Sequence, residues 1–167
     1  MQHCVKWQRK LDTFVLLLSD RFTLIMNTQT TNQMPVVITI SDDVQEKINQ
    51  LKEDNFYEGD MIDFIQVHGN DAFLAHYEDY VTYGESHSYD AVDAFIDEFG
   101  IENIESFEDA YYGQYDSEEQ FAEQYVEDVY NFNQDDCPVV VDWTATWNVN
   151  LKYDFTFADG YVFRSTF

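Results

Sequence analysis

The sequence predicts an α+β fold of elongated shape, in which an acidic helical region precedes a small domain of helices and an antiparallel sheet. Apolar residues recur at helical spacing between 42 and 131, and glycines follow where the pattern ends. From residue 147 apolar and polar residues alternate instead, which is typical of a strand with one buried face. The sheet is therefore expected in the C-terminal part.

The first predicted elements are a short strand and a helix. Residues 36–40 are β-branched, VVITI, and predict the strand. Ser41 is a favoured N-cap residue and predicts a helix through about Asn55. One face of this helix is apolar and is expected to be buried: Val44, Ile48 and Leu51.

Three further helices are predicted, each followed by a glycine that can adopt the backbone conformation found after helix ends. Asn70 and Ser88 are the expected N-caps of the second and the third. The helices run from Asp60 to about His68 before Gly69, from Asn70 to Tyr83 before Gly84, and from Ser88 to Phe99 before Gly100.

Two more helices are predicted in the block that follows. A short helix near 104–112 is expected to end at Gly113. A longer helix, 118–131, begins with SEEQ, a capping box in which the Ser117 side chain accepts a hydrogen bond from the Gln120 amide and Gln120 reaches back. Its expected buried side carries Phe121, Tyr125 and Val129, with Ala122 and Val126 beside them.

The last predicted elements form a hairpin. Alternation from Trp147 to Phe157 predicts a strand, and residues 158–160, Ala-Asp-Gly, predict a tight turn. Residues 161–163 are the expected returning strand. The preceding segment 137–143, CPVVVDW, either adds another strand or leads into a helix.

Composition divides the chain into three predicted parts. Residues 1–34 are expected to be disordered or to come from an upstream start, because the first 25 hold four of the eight Lys and Arg and a polar stretch follows Met26, the expected natural start. A short amphipathic N-terminal helix is the alternative. Residues 35–100 are expected to form an acidic, mainly helical domain, and 101–167 an acidic α+β domain.

Negative charge dominates the composition. The chain holds 33 Asp and Glu against 8 Lys and Arg, a net charge of −25. No Lys or Arg lies between Lys52 and Lys152, where there are 26 acidic residues. Hydrophobic residues at 45% and aromatic residues at 17% exclude a disordered acidic tail, which is poor in both. The negative electrostatic field of a chain with this charge repels nucleic acid and anionic membranes, and it attracts the basic surfaces of nucleic-acid-binding proteins.

Several carboxylates repeat at i, i+4 on predicted helices, where like charges destabilise the helix by about 0.2–0.5 kcal/mol a pair. Neighbours in such a row are about 6 Å apart along the helix axis. A rigid row of regularly spaced negative charges resembles the DNA backbone. A solvated acidic face without a partner is the alternative. The carboxylates predicted to mimic phosphates are Asp90, Asp93, Asp97, Glu98, Glu102, Glu105, Glu108, Asp109, Asp116, Glu118, Glu119, Glu123, Glu127 and Asp128.

Two motifs resemble the C-terminal region of the ArdA-type antirestriction proteins. They are the block F-x-x-x-Y-x-G-x-Y-x-S-x-x-x-F-A at 107–122 and D-G-Y-V-F at 159–163. The resemblance covers about 100–163 and, by acidic helical character, extends over 42–99. The strand-rich N-terminal domain of that family is expected to be absent or reduced to VVITI. The family's helix after the pair matching Asp142-Trp143 is not expected, because TATWNVNL has poor helix propensity.

The resemblance implies a DNA mimic of phages, plasmids or transposons that acts in the host cytoplasm. Such proteins occupy the DNA-binding groove of type I restriction-modification enzymes and need no catalysis. The implied partner is the basic groove of the methyltransferase core. A homodimer is also implied, and the apolar C-terminal hairpin ending FRSTF would supply its symmetric interface.

Two alternatives use the same charge differently. A DNA mimic could instead sequester another host protein, such as a nucleoid protein, a polymerase or a defence nuclease. An acidic, salt-adapted protein without mimicry would need molar salt to fold. An enzyme is not expected, because the sequence has no P-loop, G-x-S-x-G, H-E-x-x-H or G-x-G-x-x-G motif.

No metal site or cofactor is predicted. His68, His76 and His87 are eight and eleven residues apart, which matches no common ligand spacing, and no D-x-D-x-D-G calcium loop occurs. Cys4 and Cys137 fit a reduced cytoplasmic protein. Five aromatic residues are expected to pack in the core rather than contact a partner: Tyr111, Tyr112, Tyr115, Phe121 and Tyr125.

Overall fold

The computed structural model describes residues 12–18, 21–27, 37–133 and 138–167. The fold is α+β, as predicted, with helices and small antiparallel sheets. The chain forms two compact units, Met1–Ala75 and His76–Phe167. The domain boundary expected at residue 100 stays a prediction.

The first unit contains a three-stranded antiparallel sheet of β1 (Asp12–Leu18), β2 (Arg21–Asn27) and β3 (Val37–Ile40), in that order. Its last strand was predicted. Its first two strands correct the expectation of disorder or of a helix for these segments, and the expectation that this sheet is reduced to one strand. Two runs of seven residues rich in Phe, Val, Leu and Ile favour a paired hairpin. The start at Met26 stays a prediction.

Two helices follow in this unit, α1 (Asp42–Glu53) and the first part of α2 (Glu58–Ser86). The Ser41 hydroxyl caps α1 by accepting a hydrogen bond from the Val44 amide at 3.4 Å. The predicted apolar face of α1 is buried, with Val44, Ile48 and Leu51 at most 3% exposed. Lys52 pairs with Glu58 across the loop at 2.7 Å.

Helix α2 is broken at Gly69, whose φ of 88° and ψ of 174° are not helical. The predicted end of a helix at this glycine is therefore confirmed. The N-cap predicted at Asn70 is wrong, because its side-chain oxygen accepts no hydrogen bond from any described residue. Its side-chain amide instead donates to the Thr39 carbonyl at 3.0 Å. The helix end predicted at Gly84 is wrong, because the helix continues to Ser86. The Tyr89 ring packs against Gly84 and occupies the space that a side chain there would need.

The second unit continues with α3 (Tyr89–Phe99), a 3₁₀ helix (Ile101–Ser106), α4 (Phe107–Ala110) and β4 (Tyr111–Gln114). The cap at Ser88 and the end at Gly100 are as predicted. The single helix expected near 104–112 is wrong.

The difference arises at the tyrosines that precede Gly113. The chain becomes extended at Tyr111, which pairs with Phe163, and Gly113 occupies a bulge with φ of 130°. Aromatic residues favour strands, and a bulge favours glycine, so Gly113 bends a strand rather than ending a helix.

Helix α5 (Glu118–Tyr130) begins at the predicted capping box. The Ser117 hydroxyl accepts from the Gln120 amide at 3.2 Å, and the Gln120 side chain reaches back to the Asp116 amide, one residue earlier than expected. Phe121 and Ala122 are buried, but Val129 is 52% exposed. The buried face therefore covers only the first part of the helix.

The C-terminal segment contains α6 (Trp143–Thr146), a π-helical turn (Trp147–Leu151), β5 (Phe155–Ala158) and β6 (Tyr161–Arg164). The strand predicted from Trp147 is wrong in its first half. The expectation of no helix after Asp142 is also wrong, because the Asp142 carboxylate caps α6 at the Ala145 amide, 2.9 Å away. Trp147 and Leu151, four residues apart, are both buried, as a helix requires.

The hairpin of β5 and β6 is confirmed, and it turns through Asp159 and Gly160 with φ of 49° and 87°. Strands β4, β6 and β5 form the second sheet in this order. Two apolar clusters fill the second unit, one around Phe95, Phe107 and Phe163 and one around Phe121 and Trp147. In the part of the chain that the structure describes, no helix is long and apolar enough to cross a membrane.

Candidate partner-binding surface

All fourteen predicted phosphate mimics belong to the second unit, and none of them is buried. The apolar side of each helix is packed into a core, so the remaining positions turn toward solvent. This placement agrees with the surface location that a partner requires.

Helix α3 carries three of these residues, Asp90, Asp93 and Asp97, at spacings of three and four residues. They therefore share one face of the helix. The opposite face is buried through Ala91, Val92, Ala94, Phe95 and Ile96. Packing of the apolar face thus fixes the direction of the carboxylates.

The three aspartates of α3 line a cleft of about 420 Å³. Asp159 from the turn between β5 and β6 adds a fourth carboxylate. Gln114 and Tyr161 also line the cleft. The contribution of Asp159 and Gln114 was missed in the sequence, because only the folded hairpin brings these residues beside α3.

Tyr80 contacts this row from α2. Its hydroxyl donates a hydrogen bond to the Asp93 carboxylate at 3.0 Å. Burial, followed by the charge of Asp93, raises the pKa of Tyr80 well above its usual value. The phenol is therefore protonated at neutral pH, and its hydroxyl holds the Asp93 side chain in position.

Helix α5 carries a second row, Glu119, Glu123 and Glu127, at i, i+4 and i+8. Glu119 accepts a hydrogen bond from the Thr144 hydroxyl at 3.0 Å. Its own backbone amide, and then the hydroxyls of Thr144 and Ser117, lower the pKa of the Glu119 carboxyl. The first carboxylate of the row is thus held in its charged form and in a defined position.

The other predicted mimics lie on the elements between and around these rows. Glu108 is within 3.0 Å of the His87 imidazole. Asp109 and Glu108 lie in the first turn of α4, where the helix dipole favours anions. The remaining six lie near the end of α3, in the 3₁₀ helix, at or just before the start of α5, and near the end of α5: Glu98, Glu102, Glu105, Asp116, Glu118 and Asp128.

The two basic residues that follow these carboxylates in the sequence, Lys152 and Arg164, both contact aromatic rings. Lys152 lies 5.5 Å from the centre of the Tyr153 ring. Arg164 donates a hydrogen bond to the Tyr112 hydroxyl at 2.7 Å and lies over the same ring. These contacts hold both positive charges on aromatic surface.

The five aromatic residues that were expected in the core are packed there. Phe121 is buried, and Tyr112, Tyr115 and Tyr125 pack around it. Tyr111 packs against the other cluster, stacked on Phe107 at 5.2 Å. Their rings therefore support the acidic helices from beneath.

A different group combines an imidazole with carboxylates. One ligand atom each of His76, Asp79 and Glu105 lies within 4.8 Å of the other two. The spacing of the histidines did not predict this group, because it contains one histidine only. Its other members are Asp79, one turn along α2, and Glu105, which is distant in the sequence. The i, i+3 pair His76 and Asp79 was the available sequence signal.

Comparison with known proteins finds no matching family model, no matching curated protein and no matching solved structure.

Proposed function

We propose that this protein is a DNA mimic that occupies the basic DNA-binding groove of a type I restriction-modification enzyme and blocks it. The observation that supports this most is the pair of surface carboxylate rows on α3 and α5 within a stretch of 99 residues that has no Lys or Arg. A solvated surface would have no need to exclude every cation. The resemblance to the ArdA-type proteins over 100–163 agrees with this function.

The proposed mechanism is electrostatic. A DNA-binding groove holds Lys and Arg side chains that grip phosphates, and the carboxylates would take the place of those phosphates. Binding would release the ions condensed on both surfaces, so its affinity would fall as salt rises. No reaction is required, and we place the protein in the cytoplasm, where its target encounters DNA.

The cleft beside α3 suggests how one groove residue would be held. Its four carboxylates converge on a volume that can admit an Arg or Lys side chain. A guanidinium could donate to two oxygens at once, which makes such contacts strong and geometrically selective. The proposed partner therefore places at least one basic side chain in this cleft.

A competition titration tests the proposal. The protein is added to a purified type I methyltransferase core bound to a labelled DNA duplex, at low and at moderate salt. We expect displacement of the duplex at about one protein per binding site, and weaker displacement at the higher salt.

Matched variants separate local geometry from net charge. Glu119, Glu123 and Glu127 are changed together to Gln in one variant. Glu46, Glu53 and Glu85, which are exposed and outside the predicted set, are changed to Gln in the other. We expect the first variant to displace DNA roughly tenfold less well than the second, because exposed ionic contacts contribute up to about 1 kcal/mol each.

Absence of displacement by the folded protein would contradict the restriction-modification target. Displacement from a nucleoid protein, a polymerase or a defence nuclease would then assign mimicry to another target. Equal weakening by the two variants would show that total charge, and not the α5 row, governs binding.

The homodimer stays a proposal. Tyr161, Val162 and Phe163 of the C-terminal hairpin are buried within the unit. A symmetric interface would therefore use other side chains of this segment, and sedimentation at micromolar concentration would reveal it.

A further inference from the structure

We propose that His76, Asp79 and Glu105 form a binding site for a divalent transition-metal ion, with Zn²⁺ as the best match. This site does not rest on the proposed DNA mimicry, although Glu105 also belongs to the predicted phosphate mimics. It joins the second part of α2 to the 3₁₀ helix within the second unit.

The geometry supports a common ligand. One ligand atom from each residue lies within 4.8 Å of the other two. Two donors on one tetrahedral zinc ion, at about 2.1 Å each, are about 3.4 Å apart, so the widest pair of ligand atoms must close by up to roughly 1.4 Å. Glu105 is exposed, and rotation of its side chain can provide this movement.

The imidazole of His76 supplies a second, independent observation. Its Nδ1 atom is buried and has no hydrogen-bond partner. A buried polar atom without a partner is costly, and an ion or a water is a common explanation. His76 and Asp79 are three residues apart on α2, so both side chains lie on the same face.

The charge around the site also favours a dication. The Tyr83 phenol, one turn further along α2, has a raised pKa because of burial and then the charges of Asp79, Glu108, Glu105 and Asp109. Negative charges from α2, the 3₁₀ helix and α4 therefore converge on this region. A bound dication would offset their mutual repulsion.

The ligand types select the class of ion. Imidazole is preferred by zinc and its neighbours in the first transition row, whereas carboxylates alone suit Mg²⁺ and Ca²⁺. One imidazole with two carboxylates leaves a position for water, as in three-ligand zinc sites. The ion would fasten the 3₁₀ helix, whose Ile104 is fully buried, onto α2.

The test is a calorimetric titration of the full chain with ZnCl₂, in buffer with excess Mg²⁺ to occupy the diffuse acidic surface. The probe variant is Glu105→Gln, and the matched control is Glu102→Gln, an exposed glutamate of the same 3₁₀ helix. Both substitutions remove one charge and leave every cysteine and histidine in place.

We expect one saturable Zn²⁺ site in the wild type, at least about tenfold weaker in Glu105→Gln and within about twofold of wild type in Glu102→Gln. The NMR resonances of the His76 ring should shift with one equivalent of Zn²⁺ and shift less in Glu105→Gln at the same Zn²⁺ concentration. Equal effects of the two variants, no saturable binding, or stoichiometric Zn²⁺ that leaves the His76 ring unmoved would each overturn the site.

Discussion

Single residues at helix ends decide much of the local structure. Ser41, Ser88 and Ser117 each accept a hydrogen bond from the amide three residues later, as their sequence positions predicted. Such caps are recognisable because the interaction is local and needs no knowledge of the fold. Asp142 caps α6 in the same way, but it was overlooked because the residues after it favour strands.

Two neighbouring carboxylates of α2 oppose folding at neutral pH. Burial raises the pKa of Asp63, and burial followed by the charge of Asp63 raises the pKa of Asp60. The folded state thus binds these protons more readily than the unfolded state, so this part of the destabilisation is present at pH 7 and disappears as pH falls through the raised pKa values.

We therefore expect Asp63→Asn to raise the free energy of unfolding at pH 7 by about 0.2–0.5 kcal/mol, the size of one like-charge helical pair. The gain should vanish at pH 3. Urea unfolding at the two pH values measures it, with Glu46→Gln in α1 as the control. A loss of stability in Asp63→Asn at pH 7 would contradict this account.

At the scale of elements, the helices with one clear apolar face were predictable and the segments of mixed pattern were not. The face of Val44, Ile48 and Leu51 predicted α1 within two residues. Trp147–Leu151 alternates like a strand, yet it forms a π-helical turn because Trp147 and Leu151 both reach the cluster around Phe121. Tertiary packing decides such cases, and packing is not visible in a local pattern.

The candidate site was predictable to a similar degree. The carboxylate rows of α3 and α5 follow from helical spacing alone. The cleft does not, because Asp159 reaches α3 only through the hairpin. The His76 group likewise depends on Glu105, which lies 29 residues away in the sequence.

Gly69 provides a test of the break in α2. Its φ of 88° and ψ of 174° fall in a region that is essentially restricted to glycine, and an added Cβ would meet no atom within 4 Å. We expect Gly69→Ala to lower the free energy of unfolding by about 1–3 kcal/mol through backbone strain alone.

The control is Val67→Ala, at a position that is 75% exposed in the same helix, where a change within about 0.5 kcal/mol is expected. Chemical denaturation of both variants provides the comparison. An unchanged stability in Gly69→Ala would mean that the chain straightens at this point without cost.

On the scale of the whole molecule, the net charge of −25 acts against compaction. Lys152 and Arg164 contact tyrosine rings rather than the carboxylate rows. The cores hold the fold together while the surface keeps its charge. Glu119 differs from the other carboxylates, because its lowered pKa means that its charged form stabilises the fold. This contribution is present above the usual pKa of a glutamate and is lost in acid.

We expect the melting temperature to rise modestly between low and moderate salt, and again between pH 7 and pH 5, because screening and protonation both relieve repulsion. Differential scanning calorimetry measures both trends. A protein that folds only in molar salt would favour the salt-adapted alternative. A steady loss of stability from pH 7 to pH 5 would mean that the carboxylates are paired within the fold, which removes the motive for mimicry.

The packing of Trp147 makes its fluorescence sensitive to changes around α5. This indole is 4% exposed and lies edge-on to Phe121, 5.9 Å away, on the buried side of α5. A partner that grips the glutamates on the other side would press on the same helix and alter the surroundings of the indole. With Trp7, outside the described residues, and Trp143 both changed to Phe, Trp147 is the remaining tryptophan, and its fluorescence emission would follow docking without any dye.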